Sequence, residues 1–171
     1  AGYVIAMRIV VFALLPAFGL STAAATLVGQ NLGAGEPERA ERSVWMTGLW
    51  NMVFLGSVTI FFLFLPESLV AIFTNDPKVV PTAVNCLRIV SYGYVFYAWE
   101  MVVIQAFNGA GDTFTPTMIN IFCFWLFQLP LAFILAKTLE IGPSGVFWAI
   151  AVSYSLSAVV GMVLFRRGHW K

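Results

Sequence analysis

Four stretches of the chain contain no Asp, Glu, Lys or Arg, and each is long enough to cross a bilayer. They are Ile9–Gly35, Ser43–Pro66, Thr113–Ala136 and Ile141–Phe165, of 27, 24, 24 and 25 residues. At a rise of about 1.5 Å per residue the shorter ones make roughly 36 Å of helix, against a hydrocarbon core of about 30 Å. A fifth apolar stretch, Lys78–Asp112, is interrupted only by Arg88 and Glu100. Charged residues make up 10% of the chain, where a soluble domain carries about 25%. The pattern predicts an all-α membrane protein, and the few charges inside it become the leading functional suspects.

Five transmembrane helices are expected, over residues 3–32, 39–65, 77–107, 116–137 and 145–166, here called helices A to E. Glu67–Thr74 suits a short interfacial turn. Pro37, Pro77 and Pro116 fit first helical turns, where a missing N–H is harmless. Asp76 and Thr115 precede two of these prolines and can cap exposed amides. Gly33, Gly35, Gly109 and Gly111 follow helix ends. Two loops, Gly33-Ala34-Gly35-Glu36 and Gly109-Ala110-Gly111-Asp112, resemble each other. They read either as two glycine turns or as the trace of an internal duplication of the kind transporters carry. The chain opens directly into apolar sequence without a start methionine or charged leader, and is read as a piece of a longer membrane protein.

With five spans, Arg39, Arg42, Arg166, Arg167 and Lys171 share one side, and Arg8, Lys78 and Lys137 the other. The basic excess marks the first side as cytoplasmic, in a multi-pass protein of the inner cell membrane. The net charge of +1 offers no basic face for nucleic acid. Cys86 and Cys123 lie in apolar sequence without metal-ligand company and read as packed thiols. His169, the sole histidine, sits in the tail, so no histidine-based catalytic cluster can be built. No enzyme and no metal site are expected.

Small residues recur every fourth position in helix A (Ala13, Ala17, Ser21, Ala25, Gly29, Gly33) and in helix E (Ala149, Ser153, Ser157, Gly161). In lipid, helices associate by close backbone approach at such residues, so both stripes are expected to be buried. Pro16 and Pro130 lie deep in helices A and D. Each frees a carbonyl, on Phe12 and Leu126, and acts either as a static kink or as a hinge for a gate.

Glu100 lies near the middle of helix C. A carboxylate at bilayer depth costs roughly 3 kcal/mol or more unless it is hydrated, paired or protonated. It is therefore expected to face the bundle interior and to exchange a proton or meet a cation. The alternative is a structural carboxyl, protonated or paired. Tyr94, Tyr97, Gln105 and Asn108 accompany it on the same helix as transport or coupling candidates. Arg88 is about 18 Å away along the axis, and like Arg8 it is read as snorkelling to the interface. Asn51, Asn85, Asn120 and Gln128 are expected to bond neighbouring helices or to face a wet cavity. Trp99 and Trp125 either pack in the core or line a cavity with affinity for flat cations.

The ordered motifs resemble one family. Gly19-Leu20-Ser21-Thr22-Ala23-Ala24-Ala25-Thr26-Leu27-Val28-Gly29-Gln30-Asn31-Leu32-Gly33-Ala34-Gly35 looks like the second helix of the C-terminal lobe in multidrug and toxic compound extrusion (MATE) transporters. Asn108-Gly109-Ala110-Gly111-Asp112-Thr113 with Thr115-Pro116 resembles the loop after that lobe's fourth helix. Leu129-Pro130-Leu131 and Gly145-Val146-Phe147-Trp148-Ala149 match its next two helices. The resemblance implies helices eight to twelve of a twelve-helix antiporter, part of a six-helix lobe, with the N-terminal lobe as partner. It implies export of drugs or organic cations, or other amphipathic small molecules, driven by Na⁺ or H⁺ with no resident cofactor. Some members place a coupling acid in the helix matching C, at the position of Tyr97 here, with Glu100 one turn later. A lipid-linked oligosaccharide flippase of related fold, or a helical bundle that transports nothing, remain the alternatives.

Overall fold

The computed structural model describes residues 2–140, 142–168 and 170. Within the basic tail, His169 and Lys171 lie outside the described residues. The described residues fold into helices without a strand: α1 (Gly2–Gly33), α2 (Pro37–Phe64), α3 (Pro66–Ala71), α4 (Val80–Ser91), α5 (Tyr94–Gly109), α6 (Phe114–Thr138) and α7 (Pro143–Arg166). Four of them, α1, α2, α6 and α7, are long and apolar enough to cross a membrane, and α4 with α5 reach that standard together. Helices α1, α2 and α5 pack mutually, α7 lies against α5, and α6 joins the bundle through α7.

Helix C, expected as a single span, is two helices meeting at 60°. It starts at Val80 rather than Pro77, because Asp76 turns the chain first by accepting the Lys78 amide at 2.9 Å. The break falls at Tyr92 and Gly93. A side chain at Gly93 would come within 3.1 Å of the Ala151 backbone on α7, so only glycine lets α7 pack against the bend. Thr59 on α2 donates to the carbonyl of Ser91 at 3.2 Å, satisfying a group that the break exposes.

The two glycine loops share one hydrogen-bond pattern. Ala34 and Ala110 donate to Gln30 and Ala106, Gly35 and Gly111 to Leu32 and Asn108, and Glu36 and Asp112 to Asn31 and Phe107. Gly35 and Gly111 supply the positive φ, 74° and 84°, that such helix-ending turns need. The cap of α6 comes from Asp112, not Thr115: Asp112 Oδ1 accepts the Thr115 amide at 3.0 Å. Those bonds hold the Asp112 carboxyl below its ordinary range. The cap is accordingly complete above the ordinary carboxylate range and is lost as pH falls through the lowered value.

The helix A stripe is only partly buried. Ala17 and Ser21 are buried and Ala13 and Ala25 half-buried, while Gly29 and Gly33 are exposed. Residues four apart advance by about 40° around a helix of 3.6 residues per turn. Six of them therefore wind off the contact face, and burial follows Ala17, Ser21, Ala24 and Val28 instead. The helix E stripe, Ala149, Ser153, Ser157 and Gly161, is buried throughout. Pro16 and Pro130 are both exposed on the outside of the described bundle. Helix α1 runs unbroken through Pro16. Around Pro130, α6 has widened π-type turns at Ile121–Gln128 and Ile134–Thr138.

The buried core forms two apolar clusters. Ser21 falls between them along α1, Asn51 along α2 and Ser157 along α7, while Glu100 stands at their junction on α5. A buried polar level thus divides the core. Asn51 serves it by donating to the Ala98 carbonyl at 3.0 Å.

Trp99 sets its six-membered ring against Gly48 and donates Nε1 to the Met52 sulfur at 3.3 Å, and its ring tilts against Trp45. A Cβ at Gly48 would stand 2.6 Å from Trp99 Cε3. Gly48→Ala is therefore expected to cost about 1–3 kcal/mol by overpacking. Trp99→Leu in the same chain should recover part of it, read by thermal unfolding of the full-length protein in detergent. Equal stability of Gly48→Ala and wild type would show that this contact yields freely.

Candidate functional site

The residues nominated along helix C separate into three places. Gln105 and Asn108 bond each other at 3.1 Å near the end of α5, with Asn108 exposed. They form no common site with the rest. Tyr94 and Tyr97 line a partly open cavity of about 300 Å³. Glu100, one turn on, does not border that cavity. Its side chain is 7% exposed and accepts a hydrogen bond from Ser157 Oγ of α7 at 3.3 Å. The Cys123 thiol of α6 borders the same hydroxyl and faces a separate apolar groove of about 660 Å³ between α6 and α7.

The cavity sits at the helix break. Tyr3 and Leu14 enter from α1, Tyr94 and Tyr97 from α5, Gln128 from α6 and Tyr154 from α7. Its lining contains no Asp, Glu, Lys or Arg. The Tyr97 and Tyr154 rings meet at 4.4 Å with a 58° tilt, making an aromatic corner. Phe124 braces Tyr154 edge-on at 5.2 Å. On two of the lining residues, the Tyr94 hydroxyl and Gln128 Oε1 are buried without a hydrogen-bond partner among the described residues. Leaving such a group unpartnered costs about 1–3 kcal/mol. The cavity thus offers aromatic faces that attract cations, with the phenol and the amide oxygen enclosed in its wall.

Trp99 and Trp125 do not line it. Trp99 packs on α2, and Trp125 is 69% exposed on the outside of α6. Arg88 makes a loose surface pair with Glu67 at 3.8 Å. Asn85 bonds Ser144 across helices at 2.7 Å. Tyr3, Tyr154 and the Glu100–Ser157 contact escape a reading of sequence alone. Ser157 carries a packing signal only, and Tyr154 none that separates it from other interfacial aromatics.

Apolar helices of membrane-crossing length, one pair of them bent beside a tyrosine-lined cavity, define a class, the multi-pass membrane proteins. Comparison with known proteins narrows it. The MatE family matches residues 1–134. The probable multidrug resistance protein NorM of Thermotoga maritima is 28% identical over the whole chain, and that of Pseudomonas putida is 31% identical over 93% of it. The chain spans only 37% and 36% of those two proteins. Among solved structures, an outward-facing MATE family multidrug resistance transporter of the MOP superfamily superposes with a TM-score of 0.92 at 21% identity. That match covers 98% of this chain and 38% of the transporter. A MOP superfamily transporter from Pyrococcus furiosus gives 0.91 at 20% identity, with 98% and 38% covered. The chain belongs to the MatE family.

Proposed function

We propose that the chain is the C-terminal lobe portion of an exporter of drugs or organic cations, driven by inward H⁺ or Na⁺. The remainder of the protein supplies the facing lobe, and alternating access exposes the cavity to each side in turn. The membrane is the inner cell membrane. The reading is carried by one observation: a cavity at a broken helix, free of charged side chains and walled by the faces of Tyr94, Tyr97 and Tyr154. Family membership supports the same reading. A flippase handling a pyrophosphate calls for several cations around its cavity, and this lining has none.

The test is transport by the full-length protein in vesicles, with a fluorescent organic cation as substrate. Tyr97→Leu and Tyr154→Leu each remove one face of the aromatic corner and are expected to raise KM about ten-fold for the cation. A neutral analogue of the same shape should be affected less. Equal effects on both would show that the corner does not recognise charge.

Orientation has its own check. With the basic loop and tail inside, a cysteine at Glu38 should resist an impermeant reagent added to intact cells and react once the membrane is opened. Strong labelling from outside would invert the assignment.

A further inference from the structure

A second groove, of about 360 Å³, lies where the end of α1 meets the start of α2. Arg39, Arg42 and Ser43 line its mouth, and Leu27, Met46 and Thr47 continue it along the helices. We propose that this groove seats the phosphate and first acyl carbons of one anionic phospholipid.

The charges are available. Among the described residues, neither arginine lies within 4.0 Å of a carboxylate oxygen. The neighbouring acids do not fill the groove: Glu41 accepts the Trp45 Nε1 at 3.2 Å, and Glu36 and Glu38 are exposed outside its lining. Arginines three apart on a helix stand side by side, about 5–6 Å between their Cβ atoms. That spacing lets both planar forks address one phosphate. The hydroxyls of Ser43 and Thr47 already donate to Arg39 and Ser43 carbonyls, at 2.9 and 2.8 Å, which leaves the phosphate to the guanidiniums.

The floor selects lipid over free phosphate. Leu27 is 38% and Met46 50% exposed, and they stand beside the charged mouth. Leu49 and Val53 extend the exposed apolar face along α2. A headgroup at the helix end with a chain running inward matches this change from charge to apolar surface, as basic pockets between spans do for anionic lipids.

The experiment is native mass spectrometry of the full-length protein, titrated with phosphatidylglycerol or with phosphatidylcholine of identical chains. The wild type should retain phosphatidylglycerol preferentially. Arg39→Gln with Arg42→Gln should weaken that binding about thirty-fold, at unchanged thermal stability since both residues are exposed. Leu27→Ser with Met46→Ser should weaken it as well, and inorganic phosphate should not displace the lipid. Retention unchanged in the arginine pair overturns the proposal. Displacement by inorganic phosphate makes it an anion site instead, and indifference to the Leu27 and Met46 changes reduces it to diffuse charge attraction. Either outcome defeats the lipid seat. So does crosslinking of a cysteine at Met46 to another segment of the same protein, which would make the groove an internal interface.

Discussion

Glu100→Gln is expected to leave the full-length protein folded while lowering export about ten-fold or more, with the residual activity following pH differently from wild type. The amide keeps the shape of the carboxyl and can still accept from Ser157, so packing against α7 survives. What disappears is the titratable group. Weakening the Ser157 bond from charged to neutral accounts for at most about 1.5 kcal/mol, or about ten-fold, so a larger loss reports the missing proton site. Ser157 on α7 donates to Glu100, and among the described residues no Lys or Arg lies within 4.0 Å of its carboxylate. A change in pH profile would therefore point to Glu100 itself. Export by Glu100→Gln equal to wild type across the pH range would make the carboxyl structural and remove it from the proposed coupling.

Gly109→Ala should be the most damaging single methyl group in the described chain. A Cβ there would come within 2.7 Å of the Ala25 Cα, and it would press on that residue's carbonyl as well. A flexible side chain can retreat from such a contact, but backbone in the middle of α1 cannot. Gly29 faces the same crossing from the other side, with a Cβ there 3.2 Å from the Gly109 carbonyl oxygen. Overpacking costs about 1–3 kcal/mol where side chains adjust, and a backbone clash belongs at or above the top of that range. Gly19→Ala and Gly56→Ala are the controls: nothing lies within 4 Å of either added carbon. They should be neutral or slightly stabilising, as alanine suits a helix better than glycine. Thermal unfolding of the three variants ranks them, and a Gly109→Ala protein as stable as the controls would show that the helices can part at no cost.

The spans were legible because absence of charge over more than twenty residues has few other meanings. The loops were legible through their glycines, since positive φ at Gly35 and Gly111 leaves a mark in sequence. The break in helix C left no such mark. Gly93 has an ordinary helical φ of −81° and is glycine for the sake of Ala151, on a helix far along the chain. The four-residue stripe in helix A misled because chemical spacing and helical pitch differ, and the error grows with length. Glu100 was legible as costly, which forces it inward. Its partner was not, because Ser157 is 57 residues away and meets it only through the angle at which α5 and α7 pack. The tyrosine cavity was half legible: Tyr94 and Tyr97 share one helix, whereas Tyr3 and Tyr154 converge on them through packing alone.

The broken span also constrains how the protein can be made. Helices α4 and α5 hold 12 and 16 residues, about 18 and 24 Å of helix, so neither alone crosses a hydrocarbon core of about 30 Å. The carbonyl of Ser91 finds Thr59 on a helix already synthesised. Gly93 and Glu100 instead wait for Ala151 and Ser157, which leave the ribosome 58 and 57 residues later. Until α7 arrives, this segment holds a carboxyl without its hydroxyl and a bend without its wall. Biogenesis must shelter it from lipid for the time needed to translate α6 and α7, so the third span in chain order is among the last to mature.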